Sequence, residues 1–250
     1  MSTAKDAADD SIVKRLGLPE QSWLEQALKN AVPTEREGRL HISLFSISTE
    51  FEERCNLLTE GRLSWQRRLM QDKKQRIVQF AAEAGPHVLV NLDPPEKDAR
   101  EILECTGEYA LARDLMGQVF ALLESLKAEQ ITIDFMSCSE ASTIGCLAGL
   151  EMAAYDYRNQ RGDRDPQPLL PGLQLDLPRS LIDRAIAQGL SVNIARHLVN
   201  LPAADLNPET YARLVFALFE ESISSTVTIW DAERLKEEKM GLMLAVGKAA

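Results

Sequence analysis

Strand-like and helix-like patterns alternate along this chain, and that alternation limits the folds it can adopt. Residues 40–47 place Leu40, Ile42 and Leu44 at every second position, which is typical of a strand with one buried face. Residues 108–127 repeat apolar side chains at helical spacing instead. Further strand patterns lie at 86–92, 131–136, 173–177 and 226–230, and further helix patterns at 140–157 and 231–239. Strands that alternate with helices predict an α/β layer fold with helices over a largely parallel sheet.

Four stretches are less regular. Residues 11–32 show helical spacing and end before Pro33, so we expect one N-terminal helix there. Residues 65–70 are helix-like, whereas residues 76–80 fit either a strand or a helix. The charged stretch 158–168, which contains glycine and proline, is the best candidate for a domain boundary.

A long helix, a proline turn and a second helix are predicted towards the carboxyl terminus. In the first helix an apolar residue recurs at every fourth position, which predicts one continuous apolar face, formed by Ile182, Ile186, Leu190, Ile194 and Leu198. Pro202 cannot donate a backbone hydrogen bond and disfavours helical angles at the preceding residue, so the helix should end near Asn200. Asn207 is a favoured N-cap and Pro208 a favoured first helical residue, so the second helix should begin there.

The same region carries a resemblance to a known family. Residues 195–202 read Ala-Arg-His-Leu-Val-Asn-Leu-Pro, and residues 205–208 read Asp-Leu-Asn-Pro. This resembles Ala-Arg-Asp-Leu-Val-Asn-Thr-Pro-Pro-Asn-Asp-Leu-Thr-Pro, which opens the catalytic domain of leucyl (cytosol) aminopeptidases. Residues 240–248, Met-Gly-Leu-Met-Leu-Ala-Val-Gly-Lys, resemble the family's Met-Gly-Ala-Leu-Leu-Ala-Val-Gly-Lys. The chain departs from the family pattern at His197 for Asp, Ala204 for Asn and Ala249 for Gly.

The resemblance implies four parts. Residues 1–38 would be an N-terminal helical extension, and residues 39–158 a smaller α/β domain similar in fold to macro domains. Residues 159–179 would be a linker and strand, and residues 180–250 the connecting helix and the truncated start of a catalytic domain. The resemblance also implies a homo-oligomer, a hexamer in the family, whose intact form acts on peptides.

The family reaction is the removal of an N-terminal amino acid with two adjacent divalent metals, zinc or manganese, so the resemblance implies these cofactors for the intact enzyme. The family takes its ligands from Val-Gly-Lys-Gly-x-Thr-Phe-Asp-Ser-Gly-Gly and Asn-Thr-Asp-Ala-Glu-Gly-Arg, and neither motif occurs in this sequence. Lys248 matches an earlier Gly-Lys of the family, not the ligand lysine. We therefore assign no catalytic, cofactor-binding or metal-binding residue, and expect an N-terminal portion of an aminopeptidase that cannot catalyse alone.

Charge and cysteine content exclude several classes of protein. The net charge of −10 disfavours a surface for nucleic acid or for an anionic membrane. The first ten residues lack the apolar core of a secretory signal, and no apolar run is long enough to span a bilayer. The four cysteines form no Cys-x-x-Cys pair, so neither a disulfide framework nor a zinc ribbon is indicated. We expect a cytoplasmic protein with reduced thiols.

The histidines and Cys138 offer little chemistry on their own. His41, His87 and His197 have no partners at metal-ligand spacing, and we expect His197 to be exposed or to cap the long helix. Cys138 could form a thiol dyad with His87 if the fold brought them together. An inert, buried cysteine is the commoner arrangement and the one we expect.

Two further features favour structural roles. Gly145 and Gly149, four residues apart on a predicted helix, permit close helix packing and lack the pattern of a phosphate-binding loop. Asp205 is expected to steady the Pro202 turn by accepting hydrogen bonds from nearby amides.

These observations leave three functions open. The first is the non-catalytic front part of a leucyl-aminopeptidase-type metallopeptidase, which would serve domain architecture and oligomer assembly. The second is a macro-like binding or scaffold module, with a pocket at the carboxyl ends of parallel strands, near Leu92-Asp93 or Met136-Ser137. The third is a regulatory pseudoenzyme that joins full-length subunits.

Overall fold

The computed structural model describes residues 12–19, 21–32, 39–58, 76–82, 85–93, 107–157, 170–219 and 224–247. The chain divides into two compact units. We call Pro19–Ile194 the sheet unit, and Met1–Leu18 together with Ala195–Ala250 the terminal unit. None of the described helices is long and apolar enough to cross a membrane. The four-part division drawn from the sequence stays a prediction.

A five-stranded sheet forms the centre of the sheet unit. Its strands are β1 (Leu40–Phe45), β2 (Ile77–Ala82), β3 (Gly85–Asn91), β4 (Gln130–Met136) and β5 (Gly172–Leu175). They lie in the order β2-β3-β1-β4-β5, and only the β2–β3 pair is antiparallel. The predicted α/β fold with a largely parallel sheet is confirmed, and the ambiguous residues 76–80 lie mostly in strand β2.

Helices connect and cover these strands. They are α1 (Trp23–Lys29), α2 (Ser48–Leu58), α3 (Glu108–Leu126), α4 (Glu140–Ala153), α5 (Arg179–Asn200), α6 (Pro208–Phe219), α7 (Ala232–Glu237) and α8 (Gly241–Gly247). On one face of the sheet, residues of α1, α3, α4 and α5 share a core with the apolar side chains of β1, β3, β4 and β5. On the other face, Phe51 and Cys55 of α2 pack with Phe45, Val78 and Leu89. The predicted helix at 65–70 and the predicted boundary at 158–168 lie outside the described residues.

The prediction of one helix over 11–32 is wrong, because the backbone breaks that stretch in two. A short helix at 12–16 ends at Gly17, whose φ of 64° lies in the left-handed region that glycine tolerates. Helix α1 then begins anew after Ser22, whose hydroxyl accepts a hydrogen bond from the amide of Glu25 at 3.2 Å. The helical spacing of the sequence did not show this interruption.

Helices α3 and α4 approach unusually closely at the two glycines noted in the sequence. A Cβ atom at Gly145 would lie 2.4 Å from the carbonyl oxygen of Tyr109, and one at Gly149 would lie 2.4 Å from that of Arg113. Real Cβ atoms do not come this near to backbone atoms. The predicted close-packing role of Gly145 and Gly149 is therefore confirmed.

The buried face of α5 differs from the predicted one. The apolar residues expected to line it include Ile186, Leu190, Ile194 and Leu198, which are only half-buried. The fully buried positions are instead Ile182, Ala185, Gly189, Asn193 and His197. The helix docks on this rotated face because glycine permits close approach, and because the Nδ2 of Asn193 and the Nε2 of His197 each find a buried partner.

The turn between α5 and α6 follows the sequence closely. Helix α5 ends at Asn200 as predicted, and the amides of Asp205 and Leu206 both donate to the Pro202 carbonyl at 2.9 Å. Asp205 therefore steadies the turn through its backbone amide, not through the predicted side-chain contact. Asn207 caps α6, since its side-chain oxygen accepts from the Thr210 amide at 3.0 Å.

The prediction of a strand at 226–230 is wrong. Its backbone is assigned to no helix and no strand, and it belongs to no sheet of the described residues. Residues 225–231 instead lead directly into α7, which is capped by Asp231. A strand needs a hydrogen-bonded neighbour as well as β-branched residues, and the described residues provide none here.

Candidate functional site

The carboxyl edge of the sheet is where a ligand site would be expected in this topology. Strand β1 lies between β3 and β4, all three run parallel, and their carboxyl ends meet at one edge. The chain moves from β1 to one side for β3 and then to the other side for β4, so the strand order reverses at β1. Ligands of open α/β sheets bind at such an edge. The two places named from the sequence, Leu92-Asp93 and Met136-Ser137, both lie there.

Asp93 organises the β3 side of this edge. Its carboxylate accepts hydrogen bonds from the Ser48 hydroxyl at 2.7 Å and from the Ser48 amide at 3.2 Å, at the start of α2. Asn91 donates to the same hydroxyl at 3.1 Å and accepts from the Asp93 amide at 2.9 Å. Arg76 donates to the carbonyls of Asn91 and Asp93 at 3.2 and 2.5 Å. These polar groups satisfy one another, so the cluster ties the end of β1 to the end of β3.

Cys138 occupies the β4 side of the edge. Its thiol lies 3.4 Å from the Leu44 carbonyl and 3.5 Å from the Met136 carbonyl, and the side chain is half-buried. Burial raises the pKa of Cys138, although its hydrogen bonds oppose that rise. A thiol held protonated in this way is a poor nucleophile. The structure therefore agrees with an inert cysteine at this position.

The predicted alternative of a Cys138–His87 dyad is wrong, because the fold places the two side chains at different ends of the sheet. His87 pairs with His41 near the start of β1, whereas Cys138 follows Met136, which pairs with Phe45 at the end of β1. Four residues along a strand correspond to about 13 Å. A proton transfer between this thiol and this imidazole would require them to be within hydrogen-bond reach.

His87 instead forms part of an aromatic stack across three strands. Its ring centroid lies 5.0 Å from that of His41 on β1 and 5.5 Å from that of Phe80 on β2, with nearly parallel planes. Both histidines are buried, with exposed fractions of 8% for His41 and 9% for His87. Burial lowers the pKa of His87, and the nearby His41 and Arg54 lower it further. The burial and stacking of the two rings favour a structural role for them in the sheet.

His197 is buried, so the prediction that it is exposed or capping is wrong. Its exposed fraction is 4%, and its Nε2 lies 2.6 Å from the carbonyl oxygen of Leu16. Since a carbonyl only accepts, Nε2 must carry the proton and donate. Nothing in the local sequence pattern reveals this contact, because Leu16 precedes His197 by 181 positions.

The donor groups of the described residues do not fit a two-metal centre. No group of three or more histidine, cysteine, aspartate or glutamate side chains in that part of the chain could hold a metal ion. Lys248, which follows α8, lies outside the described residues.

Glu151 on α4 is the most important structural residue that was not predicted from the sequence. Its exposed fraction is 2%, and it accepts hydrogen bonds from the Ser22 hydroxyl and from the amides of Trp23 and Leu24, at 2.8, 3.2 and 2.8 Å. Its own carbonyl accepts from the Asn193 side chain at 2.8 Å. The available signal was a charged residue inside an otherwise apolar helix, which requires buried partners.

Comparison with known proteins points to one family. Residues 193–250 match the family model described as "Cytosol aminopeptidase family, catalytic domain". A probable cytosol aminopeptidase of Tropheryma whipplei is 27% identical over 151 residues, which cover 58% of this chain and 30% of that protein. A probable cytosol aminopeptidase of Wolinella succinogenes is 30% identical over 134 residues, which cover 50% of this chain and 27% of that protein. The match thus spans less than a third of the length of these relatives.

Among solved structures, a variant of tomato leucine aminopeptidase superposes with a TM-score of 0.54 at 18% identity. The superposition covers 81% of this chain and 43% of the tomato chain, which supports the fold. The sequence matches, the relatives and the fold agree with the motifs at 195–208 and 240–248. Together they show that the chain is similar, over the part they match, to the leucyl (cytosol) aminopeptidase family.

Proposed function

We propose that this chain is the non-catalytic front portion of a leucyl-aminopeptidase-type metallopeptidase and that it serves domain architecture and oligomer assembly. The observation that carries the proposal is the match of residues 193–250 to the catalytic-domain model of that family. That match begins inside α5 and includes the Pro202 turn, the capped start of α6 and all of α8. The sheet unit precedes it in the chain, as the proposed N-terminal domain would.

In this proposal the intact protein releases N-terminal amino acids from peptides. Two divalent metals, zinc or manganese, would polarise the scissile carbonyl and activate a water molecule. The residues of this chain would help to position the catalytic groups. The amides that close the Pro202 turn and the Asn207–Thr210 cap fix the direction in which α6 leaves α5. A fixed direction matters because catalytic groups must be held to within a fraction of an ångström.

The proposal extends to the finer features that the resemblance implies. Residues 39–158 would form a macro-like domain, residues 159–179 a linker and strand, and residues 180–250 the connecting helix and the first elements of the catalytic domain. The protein would be cytoplasmic, as the names of the relatives suggest for them, and would assemble as a hexamer. The acidic net charge favours a surface that binds another soluble protein over one that binds nucleic acid.

Sequencing the source gene past the codon for Ala250 tests the proposal directly. We expect an open frame that continues into Gly-Lys-Gly-x-Thr-Phe-Asp and Asn-Thr-Asp-Ala-Glu-Gly-Arg. A stop codon at that place would contradict an enzymatic role and leave assembly or regulation to be tested. In parallel, the purified 250-residue chain should not hydrolyse leucine amide in the presence of Mn²⁺. Turnover by that chain would show that our assignment of a non-catalytic portion is wrong.

A further inference from the structure

A row of three aromatic side chains crosses the antiparallel side of the sheet. Phe80 lies directly opposite His87 in the β2–β3 ladder, and His87 lies directly opposite His41 in the β3–β1 ladder. Side chains at opposite positions of neighbouring strands lie on the same face of a sheet and interact. The ring planes of Phe80 and His87 differ by 7°, and those of His87 and His41 by 20°. We call these three rings the ring stack.

The ring stack helps to fasten β2 to the rest of the sheet. Strand β2 lies at the edge, and among the described strands it pairs with β3 alone. Val78 and Phe80 belong to the small core on the α2 face, and Ile77 packs against the main core on the other face. An edge strand that is held by one ladder opens more easily than a central strand. The contact of Phe80 with His87 is therefore one of the side-chain contacts that keep β2 closed.

A positive charge on His87 would meet unfavourable surroundings. Burial, His41 on β1 and Arg54 on α2 all lower the pKa of His87, and Asp134 on β4 alone raises it. Cys55 is a further titratable group on α2 and packs on the same face of the sheet. Burial raises the pKa of Cys55 to about 11, so this thiol stays neutral and does not offset a cation. The surroundings of His87 therefore favour its uncharged ring.

His41 gives a charged neighbour no better support. Its Nε2 is buried and has no hydrogen-bond partner among the described residues. Arg39, a buried cation, lies two residues before it on the same strand face. The centroids of the His41 and His87 rings are 5.0 Å apart. A proton on either ring therefore opposes a proton on the other.

We propose that the ring stack is a pH-sensitive latch, which holds β2 on the sheet while His87 is uncharged and releases β2 when His87 takes up a proton. The charged ring regains water only by leaving the stack, and Phe80 then loses its partner. The cation–π contact that Phe80 would offer is weaker than the loss of hydration on burial. Strand β2 yields because it has one neighbour, whereas β1 has two. The latch lies in the sheet unit and does not depend on the proposed function.

Native-state hydrogen exchange of the whole 250-residue chain tests the latch. Exchange is read by NMR at pH 7.5 and pH 5.5 and corrected for the intrinsic effect of pH. We expect the protection of the β2 amides to fall by up to about tenfold. This is the limit for one proton that binds with a pKa near 6.5 in the open state and is excluded from the closed state. Dilute urea should change this exchange little, because local opening exposes little surface, whereas exchange in β1 should follow global unfolding.

Three variants assign the effect. His87→Phe keeps a ring in the stack but binds no proton, so the β2 amides should be equally protected at both pH values. Phe80→Leu removes the ring from β2. The Hε1 resonance of His87 should then still titrate below pH 6.5, but the protection of β2 should no longer follow it. His197→Phe removes a buried histidine of the terminal unit, and this matched control should keep the wild-type pH dependence of β2.

Three results would overturn the inference. If exchange in β2 followed urea as steeply as exchange in β1 at both pH values, β2 would be released only when the sheet unfolds. If the fall in protection persisted in His87→Phe, another group would cause it. If it persisted unchanged in Phe80→Leu, the stack would not transmit the protonation to β2. The first and third results still decide the matter if His87→Phe does not fold.

Discussion

The amide of Leu24 donates a 2.8 Å hydrogen bond to the carboxylate of Glu151, 127 residues further along the chain. The amide of Trp23 and the hydroxyl of Ser22 bind the same carboxylate. A glutamate on α4 thus caps the amino terminus of α1 and satisfies donors that the helix itself leaves unpaired. Burial raises the pKa of Glu151, and its three hydrogen bonds oppose that rise. The contact fixes α1 to α4 within the sheet unit.

Replacement of this carboxylate should loosen α1. Glu151→Gln keeps the shape of the side chain but removes its charge and places an amide donor where acceptors are needed. We expect the free energy of unfolding to fall by about 1–3 kcal/mol, the usual cost of leaving buried groups unpaired. Urea unfolding would measure it. Glu124→Gln, at an exposed position of α3, is the matched control and should have little effect. Equal midpoints for the two variants would contradict the capping role.

The close contact between α3 and α4 gives a second prediction. Gly149→Ala should destabilise the chain by about 1–3 kcal/mol, because the new methyl group would press on the Arg113 carbonyl. Gly117→Ala is the control, since its Cβ would meet nothing within 4 Å, and it should stabilise α3 by up to about 1 kcal/mol. Thermal unfolding would compare them. If both changes raised the melting temperature, the two helices would be further apart than described.

The buried His87 predicts a pH dependence of stability. Because its pKa is lowered from 6.5 in the folded chain, the folded state binds fewer protons than the unfolded state below that pH. The contribution of His87 to the free energy of unfolding should therefore be fully present above pH 6.5. It should be lost as the pH falls from 6.5 through the lowered pKa of the folded state. His41 and Arg54 favour the neutral ring, and Asp134 opposes them.

Urea unfolding between pH 5 and pH 8 would reveal this slope. His87→Phe keeps a ring in the stack and should flatten the part of the slope that belongs to His87. Other groups, such as Glu151, titrate in both proteins, so the difference between the two curves isolates His87. Parallel curves would mean that His87 titrates normally in the folded chain.

The contact between His197 and Leu16 gives a fourth prediction. His197→Phe preserves an aromatic ring but removes the donor to the Leu16 carbonyl, which should cost about 1–3 kcal/mol if that carbonyl stays buried. The helix at 12–16 should then exchange its amides faster and be cleaved sooner by a protease. Mass spectrometry of exchange would locate the change. If the amides of 12–16 exchanged as slowly in the variant as in the wild type, the hydrogen bond would not be what holds that helix in place.

Periodicity predicted most of the sheet unit, because each strand and helix there has its own local pattern. The helix at 108–127 and the strands at 40–47 and 131–136 appear within one or two residues of their expected bounds. Gly145 and Gly149 could also be interpreted in advance, since their spacing on one helix face has a direct steric meaning.

The sequence was a poor guide wherever a residue acts through a distant partner. Glu151 has no local signal for the helix that it caps, and His197 none for Leu16. The buried face of α5 was predicted from apolar residues, yet Gly189 decides it, because a Cβ there would lie 2.6 Å from the side chain of Glu151. Residues 226–230 have the composition of a strand, but pairing depends on a neighbour that composition cannot supply.

The terminal unit joins the first described residues to the last ones, and this affects the order in which the protein can form on the ribosome. Leu16 emerges 181 residues before His197, its hydrogen-bonding partner. Synthesis at 5–20 residues per second makes that wait about 10–40 seconds, and all of Pro19–Ile194 is made before the wait ends. The sheet unit can therefore fold during translation, whereas the amino-terminal helix stays without its partner until α5 has been made. Fusion of a bulky tag to the amino terminus would accordingly hinder the last stage of folding more than the first.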